Sequence, residues 1–327
     1  MNYQIVATLG PGSSRPSVWN DMIQAGVTAF RLNTSHLSTK QLQQWLQDLQ
    51  DFFLQEKVQI PVVLDLQGSK WRLGQFPPFE LIRGQQVQIL PAASFDRPGK
   101  LPVPHPDFFS AARISAADLY LDDARIHLQV RSIQPDCILA DIVEGGVIRP
   151  RKGITFYASD YRIETLRASD QAVLELARPY GFVRYAISYV KDGAEMGRYR
   201  SFIGASAYLT AKIERGPSVE EALAIAASAD ELWLCRGDLG AELGLRSMAE
   251  AVSRFTGLLP EIQVPVLLAG QVFEHMVENP SPTRAEICGL YDALAAGYQG
   301  VVLSDETAAG RYPVESCRTA AIFKYGT

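Results

Sequence analysis

The segment AYLTAKIERGPSVEEALAIAASADELWLCRGDLG, residues 207–240, carries the repeating unit of the chain. An apolar run at 207–213 is followed by an amphipathic stretch at 218–228 and a second apolar run at 232–235. Short runs that are apolar on both faces read as strands of a parallel sheet, because helices cover both sides of such a sheet. Each run closes in polar residues: Lys212-Ile213-Glu214 after the first, Arg236-Gly237-Asp238-Leu239-Gly240 after the second.

The unit recurs in both directions. Further apolar runs lie at 3–7, 28–32, 62–66, 183–187, 264–269 and 300–303. Helix-like stretches lie at 18–25, 39–55, 164–178, 193–202, 247–258, 284–296 and 314–323. Ser218 with Glu221, and Thr283 with Glu286, have capping-box spacing. Eight strand–helix pairs is the count of a (β/α)8 TIM barrel, an α/β fold. A doubly wound open sheet is the alternative, since periodicity does not show closure.

Residues 75–156 break the alternation. They show no good helical period and contain Pro77, Pro78, Pro91, Pro98, Pro102, Pro104 and Pro106. Strand-like alternation at 124–130 and 137–143, with a turn at Gly145-Gly146, reads as a small all-β domain. The chain then divides into a barrel of residues 1–74 and 157–327 and an insert of residues 75–156. An insertion after the third strand sits at the strand's C-terminal end, where barrel active sites lie, and is placed to act as a lid.

Composition narrows the function. Of 327 residues, 47% are hydrophobic and 20% charged, with a net charge of -5. That excludes disordered and collagen-like classes. The 31 Lys and Arg residues are scattered rather than gathered in a basic stripe, so no nucleic-acid partner is expected. No apolar stretch of ~18 residues exists to span a membrane. The N-terminus lacks the charged and small-residue marks of a leader. Cys137, Cys235, Cys288 and Cys317 form no CxxC pair, and the four histidines lack metal-ligand spacing. The expectation is a reduced, cytoplasmic protein.

The strand ends hold the chemistry. Thr8-Leu9-Gly10-Pro11-Gly12-Ser13-Ser14 is either a phosphate cradle or a plain turn. Arg31 offers a rigid fork for phosphate or carboxylate, and Asn33 and Ser35 face the same way if the strand continues. Asp65 and Arg72 follow the third strand. Period two puts Lys212 and Glu214 on one face. A structural ion pair is the plain alternative, although Lys and Glu are rarely buried without a function. Glu214 and Asp238, from neighbouring strands, suit a Mg²⁺ completed by water and substrate oxygens. The Gly237-Asp238 backbone begins a helix and can receive an anion. Together these imply an anionic substrate, a divalent metal and a lysine that neutralises developing charge. Phosphoryl transfer uses that set, and so does enolate chemistry on a metal.

In order, TLGPGSS (8–14), RLNTSH (31–36), LDLQGSKWR (64–72), LYLDD (119–123), RKG (151–153), AKIE (211–214), RGDLGAELG (236–244), NPSPTRAE (279–286) and LSDETAAGRYP (303–313) closely resemble the pyruvate kinase family over essentially the whole chain. The resemblance implies a barrel with a mobile β domain after the third strand. It also implies the glycolytic transfer of phosphoryl from phosphoenolpyruvate to ADP, giving pyruvate and ATP. Arg31 matches the substrate-phosphate arginine and Lys212 the lysine that stabilises the transferring group. Glu214 and Asp238 match ligands of Mg²⁺ (or Mn²⁺). Gly237 and Asp238 match the backbone that binds the substrate carboxylate. Thr8, Pro11, Asn33, His36, Arg72 and Lys152 resemble nucleotide or phosphate contacts. Asn33, Ser35 and Asp65 resemble ligands of a monovalent cation.

The chain departs from the family at several points. Gly270, in the substrate pocket, stands where the family has a threonine that helps hold the carboxylate and is implicated in protonating the enolate. Ser304 stands where a serine is expected near the proton path and is a candidate to compensate. Leu66 replaces a threonine beside the cation-site acid, and Asp305 a glycine. Lys70 stands where potassium-dependent members carry glutamate and independent ones lysine. The resemblance thus implies that K⁺ is not required and that the Lys70 ammonium takes the ion's place. The chain stops at Thr327, where the family continues into a C-terminal domain with an effector site and a subunit interface, so a homodimer would form through the barrel helices. Two other functions stay open: a metal-dependent lyase or decarboxylase working through a pyruvate enolate, and a non-catalytic homologue that binds a phosphometabolite.

Overall fold

The computed structural model describes residues 3–68, 70–115, 117–122, 125–134, 136–156 and 166–324. Its centre is a closed barrel of eight parallel strands. These are β1 (Gln4–Thr8), β2 (Ala29–Asn33), β3 (Val62–Leu66), β4 (Val183–Ile187), β5 (Leu209–Ile213), β6 (Glu231–Cys235), β7 (Val266–Ala269) and β8 (Gly300–Leu303). Each observed end lies within two residues of the expected run. Strand β1 pairs with both β2 and β8, which closes the barrel and excludes the open sheet.

Alternation along the strands explains why the mouth is polar. Val6, Ala29, Val63, Ala186, Trp233, Leu267 and Val302 pack together inside the barrel. Their neighbours Ile5, Phe30, Leu64, Ile187 and Val301 belong to the larger core beneath the helices. Two residues past the inner layer, the same faces carry Thr8, Arg31, Asp65 and Ser188 at the strands' C-terminal ends. The register sets Thr8 beside Arg31 and Asn33 beside Asp65.

The expected capping box at Thr283 and Glu286 forms, and both side chains close the first turn of the helix Arg284–Ala296. The one expected at Ser218 does not. Its helix begins earlier, at Gly216, and Ser218 Oγ instead accepts from Arg215 N–H at 3.2 Å. A further helix starts at Arg236, directly after β6, and runs to Leu258 with a break at Gly244, whose φ of 74° lies in the left-handed region. The apolar period at 247–258 shows only the second part of that helix. The start expected at 164 lies outside the described residues; the helix seen there is Ala168–Ala177.

Between β3 and β4 lie a two-stranded ribbon and a six-stranded sheet around a second apolar core. Its largest members, Trp71, Phe108 and Phe156, pack ring on ring. The region is β-rich, as expected, but it also contains a helix, Pro106–Ser115. That helix escapes a periodicity reading because it is short and follows a proline-rich approach. Pro106 opens it, and Phe108, Phe109, Ala111 and Ala112 form its buried face. The strand expected from 124 begins at Ile126, residue 124 itself lying outside the described residues. The core takes in Trp71 and Leu73, which stand before residue 75.

Candidate active site

Asp65 is the hub of the mouth and is 3% exposed. Arg31 donates to Asp65 Oδ2 through Nε at 2.9 Å and through Nη2 at 2.5 Å. The Arg31 Nη1 donates to Thr8 Oγ1 at 3.0 Å. The Lys212 ammonium lies 2.9 Å from Asp65 Oδ2 and 3.2 Å from Oδ1. Ser188 Oγ donates to Asp65 Oδ1 at 2.9 Å and accepts from Lys212 at 3.0 Å. Burial pushes the Asp65 carboxyl up, but Lys212 and then Arg31 outweigh it and hold the group well below the usual carboxylate range.

Lys212 bridges to a second acid, Glu214, at 2.9 Å. Tyr189 N–H donates to the other Glu214 oxygen at 2.8 Å. Burial raises the Glu214 carboxyl against the pull of Lys212, and the charge of Asp238 raises it further. Asp238, in the first turn of the helix that follows β6, is ion-paired to Lys70 and approached by the Tyr189 hydroxyl at 3.4 Å. The ammonium of Lys70 also sits 5.3 Å from the Tyr189 ring centre. Lys70 thus rests on Asp238, while Asp65 is filled by Arg31, Lys212 and Ser188.

The other expected residues surround this centre. Pro11 opens a single turn, Pro11–Ser13, after β1. Asn33 Oδ1 accepts from Ser35 N–H at 3.2 Å and caps the turn Thr34–His36. His36 is reached by solvent. Desolvation by the surrounding chain, with Arg72, Lys152, Arg31 and Lys70, brings its imidazole down to about 4 and keeps it neutral. Lys152 pairs with Asp122 at 2.6 Å. Arg72 Nη1 donates to the Arg151 carbonyl at 3.0 Å. Gly237 lies in the same first turn as Asp238. The Gly270 carbonyl accepts from Arg236 at 2.7 Å, and its φ is 84°. Ser304 N–H donates to Glu306 at 2.6 Å; among the described residues no hydrogen bond joins Ser304 Oγ to the Lys212 cluster.

The sequence reading passed over Ser188, Tyr189 and Asp170. Ser188 and Tyr189 directly follow β4, so asking the same strand-end question of that run would have found them. Asp170 has no such signal. It sits on a later helix and accepts from Gln67 and Gly68 N–H groups at 3.1 Å each, fastening the turn after β3.

Glu214 and Asp238 suit a divalent cation. Burial and the charge of Asp238 raise Glu214, whereas Lys70 and then Lys212 hold Asp238 well below the usual carboxylate range, and both acids already carry ammonium partners. Among the described residues no three or more His, Cys, Asp or Glu gather as a metal cage. Such a two-acid site leaves the remaining positions to water and substrate, as Mg²⁺ prefers.

Cations and paired acids thus gather at the C-terminal strand ends of a (β/α)8 barrel, the end at which enzymes of this fold carry their sites. The family model for the pyruvate kinase barrel domain matches residues 1–317, and the chain belongs to that family. A pyruvate kinase of Agrobacterium vitis is 32% identical over 316 residues, covering 96% of this chain and 65% of the relative. A pyruvate kinase of Methylorubrum extorquens is 31% identical, with 97% and 66% covered. One of Aeropyrum pernix is also 31% identical, with 97% and 69% covered. The chain spans about two thirds of the length of these relatives. No helix among the described residues is long and apolar enough to cross a membrane.

Proposed function

We propose that the chain catalyses phosphoryl transfer from phosphoenolpyruvate to ADP, giving pyruvate and ATP. The observation that carries this reading is the Lys212 ammonium, fixed between Asp65 and Glu214 with Arg31 on the same Asp65. An incoming phosphoryl group meets two cations already oriented by one buried carboxylate, and preorganised charge of this kind lowers barriers to group transfer.

Arg31 binds the substrate phosphate through its planar fork. Lys212 neutralises charge that develops on the transferring group. The backbone N–H groups of Gly237 and Asp238, in the first helical turn, receive the substrate carboxylate. Thr8, Pro11, Asn33, His36, Arg72 and Lys152 form the nucleotide side. Glu214 and Asp238 would hold Mg²⁺, which when bound polarises substrate oxygens as a Lewis acid. The insert, residues 75–156, covers the mouth as a lid over the barrel of 1–74 and 157–327 and excludes water that would hydrolyse the transferring group. Gly270 offers no hydroxyl, so the enolate takes its proton from water, with Ser304 as the adjoining side chain.

The test is the product mixture from phosphoenolpyruvate, ADP and Mg²⁺, followed by NMR. ATP and pyruvate should appear together; folded protein giving no turnover would overturn the proposal. Exchange of pyruvate methyl protons without ADP would instead favour a lyase. Turnover should also be independent of K⁺ at fixed ionic strength, because Arg31, Lys212 and Lys70 already supply fixed charge. Strong activation by KCl would count against that part.

A further inference from the structure

We infer that a cavity beside the mouth is a second binding site, for a small phosphorylated ligand with an apolar body. The cavity holds about 460 Å³, within the range of small-molecule sites. It opens between the start of the helix Thr39–Glu56, the helix Ala168–Ala177 and the chain segments at 72–75 and 151. Arg31, Asp65, Lys152, Lys212, Glu214 and Asp238 take no part in its walls, and Arg72 is the one residue of the nucleotide side that lines it.

Its charge favours an anion. Arg72, Arg151 and Arg167 all line it. Asp170 is its one acid, and both carboxylate oxygens already accept backbone N–H groups. Its histidine, His105, is kept neutral, burial and the adjoining Arg167 bringing its imidazole down to about 4. The Arg72 Nε is buried and lacks a hydrogen-bond partner among the described residues. Guanidinium groups match phosphate oxygens in geometry and charge. Ser38 and Ser169 add hydroxyls, while Leu42 and Val173 supply apolar wall. Inorganic phosphate would leave that wall wet; an organic phosphate covers it.

The walls come from both parts of the molecule. Residues 34–42 and 167–176 are barrel elements; 93, 104–105 and 151 belong to the insert. An occupant therefore bridges them and restrains the segment 72–75.

Phenyl phosphate is the probe, titrated calorimetrically into the full chain with phenol and inorganic phosphate as comparators. It should bind saturably and at least tenfold tighter than either comparator. Ala172→Trp, on an exposed lining position, should abolish binding, and Arg151→Gln should weaken it about tenfold, both with unchanged Tm. Excess phosphoenolpyruvate should not displace the probe. Absence of saturable binding would overturn the site, as would binding that survives both substitutions or yields to phosphoenolpyruvate. Bound probe should also slow amide exchange across 72–75; unchanged exchange there would overturn the bridging. None of these readouts depends on turnover.

Discussion

The two acidic sides of the mouth are built differently. Asp65 is closed: Arg31, Lys212 and Ser188 occupy both its oxygens, and Thr34 Oγ1 donates to its backbone carbonyl at 2.7 Å. Asp238 is more open: its side chain is 16% exposed and paired to Lys70, and its neighbour Glu214 has its proton affinity raised by burial and then by the charge of Asp238. The closed side can hold cations in place for a reaction. The open side pairs one acid with one ammonium, a place that another cation could take. Scaffold and receptor stand within one ring of strand ends.

Lys212→Met would strike both sides and should have the largest effect. It leaves Asp65 and Glu214 buried without their shared ammonium, which should cost about 3–5 kcal/mol in denaturant unfolding. Phosphoryl transfer should fall by about 10³ as one preorganised charge is lost. A variant of near-normal stability would show that Asp65 is not the closed hub described.

The next pair separates the sides directly. Asp65→Asn abandons two cations and should destabilise by about 3–5 kcal/mol. Asp238→Asn should cost only about 1–3 kcal/mol, because it abandons one cation rather than two. The order should reverse for metal: Asp238→Asn should weaken Mn²⁺ binding, read by electron paramagnetic resonance, at least about tenfold. Equal stability losses would erase the distinction.

Much of this was legible in the sequence. Short apolar runs ending in Lys212-Ile213-Glu214 or Asp65 give strands and mouth together, because one alternation rule governs both. The closed side was harder to see. That Lys212 bonds to Asp65 depends on β3 and β5 facing each other across the β4 edge, and separations of that kind come from closure rather than local pattern. Lys70 shows the same limit. Its resemblance points to the monovalent-cation position, yet its ammonium rests on Asp238, a contact set by how the chain re-enters after Gly68. The helix Pro106–Ser115 was hidden for a local reason: ten residues that follow a proline-rich approach hold too few turns to reveal a period.

Gly270 tests how open the Asp238 side is. Its carbonyl is held by Arg236, and a Cβ placed there would lie 2.9 Å from the Gly237 nitrogen. With φ at 84°, any side chain is strained. Gly270→Thr should therefore lose about 1–3 kcal/mol of stability and should not raise turnover, although it restores the family's residue. A gain in turnover at unchanged Tm would mean that this loop relaxes readily and that the open side extends further than its hydrogen bonds indicate.

The smallest effect concerns the turn after β3 and works through pH. His105 accepts from Arg72 N–H at 3.1 Å, and its imidazole is brought down to about 4 by burial and then by Arg167. The unfolded chain, with an ordinary imidazole near 6.5, therefore takes up the proton first. Stability from this group is complete above about 6.5 and is lost as the pH falls toward 4. Asp170 has the opposite sign. Burial lifts its carboxyl to about 6, so between the ordinary carboxylate value and 6 the folded chain binds the proton more tightly, and acid favours folding there. Between pH 6 and 4 the two slopes oppose, leaving a shallow dependence. His105→Gln should expose the Asp170 slope, so that the variant gains stability, on the order of 1 kcal/mol, as pH falls from 6.5 to 4.5 relative to the parent. Parallel curves for parent and variant would show that His105 is not held neutral as the structure places it.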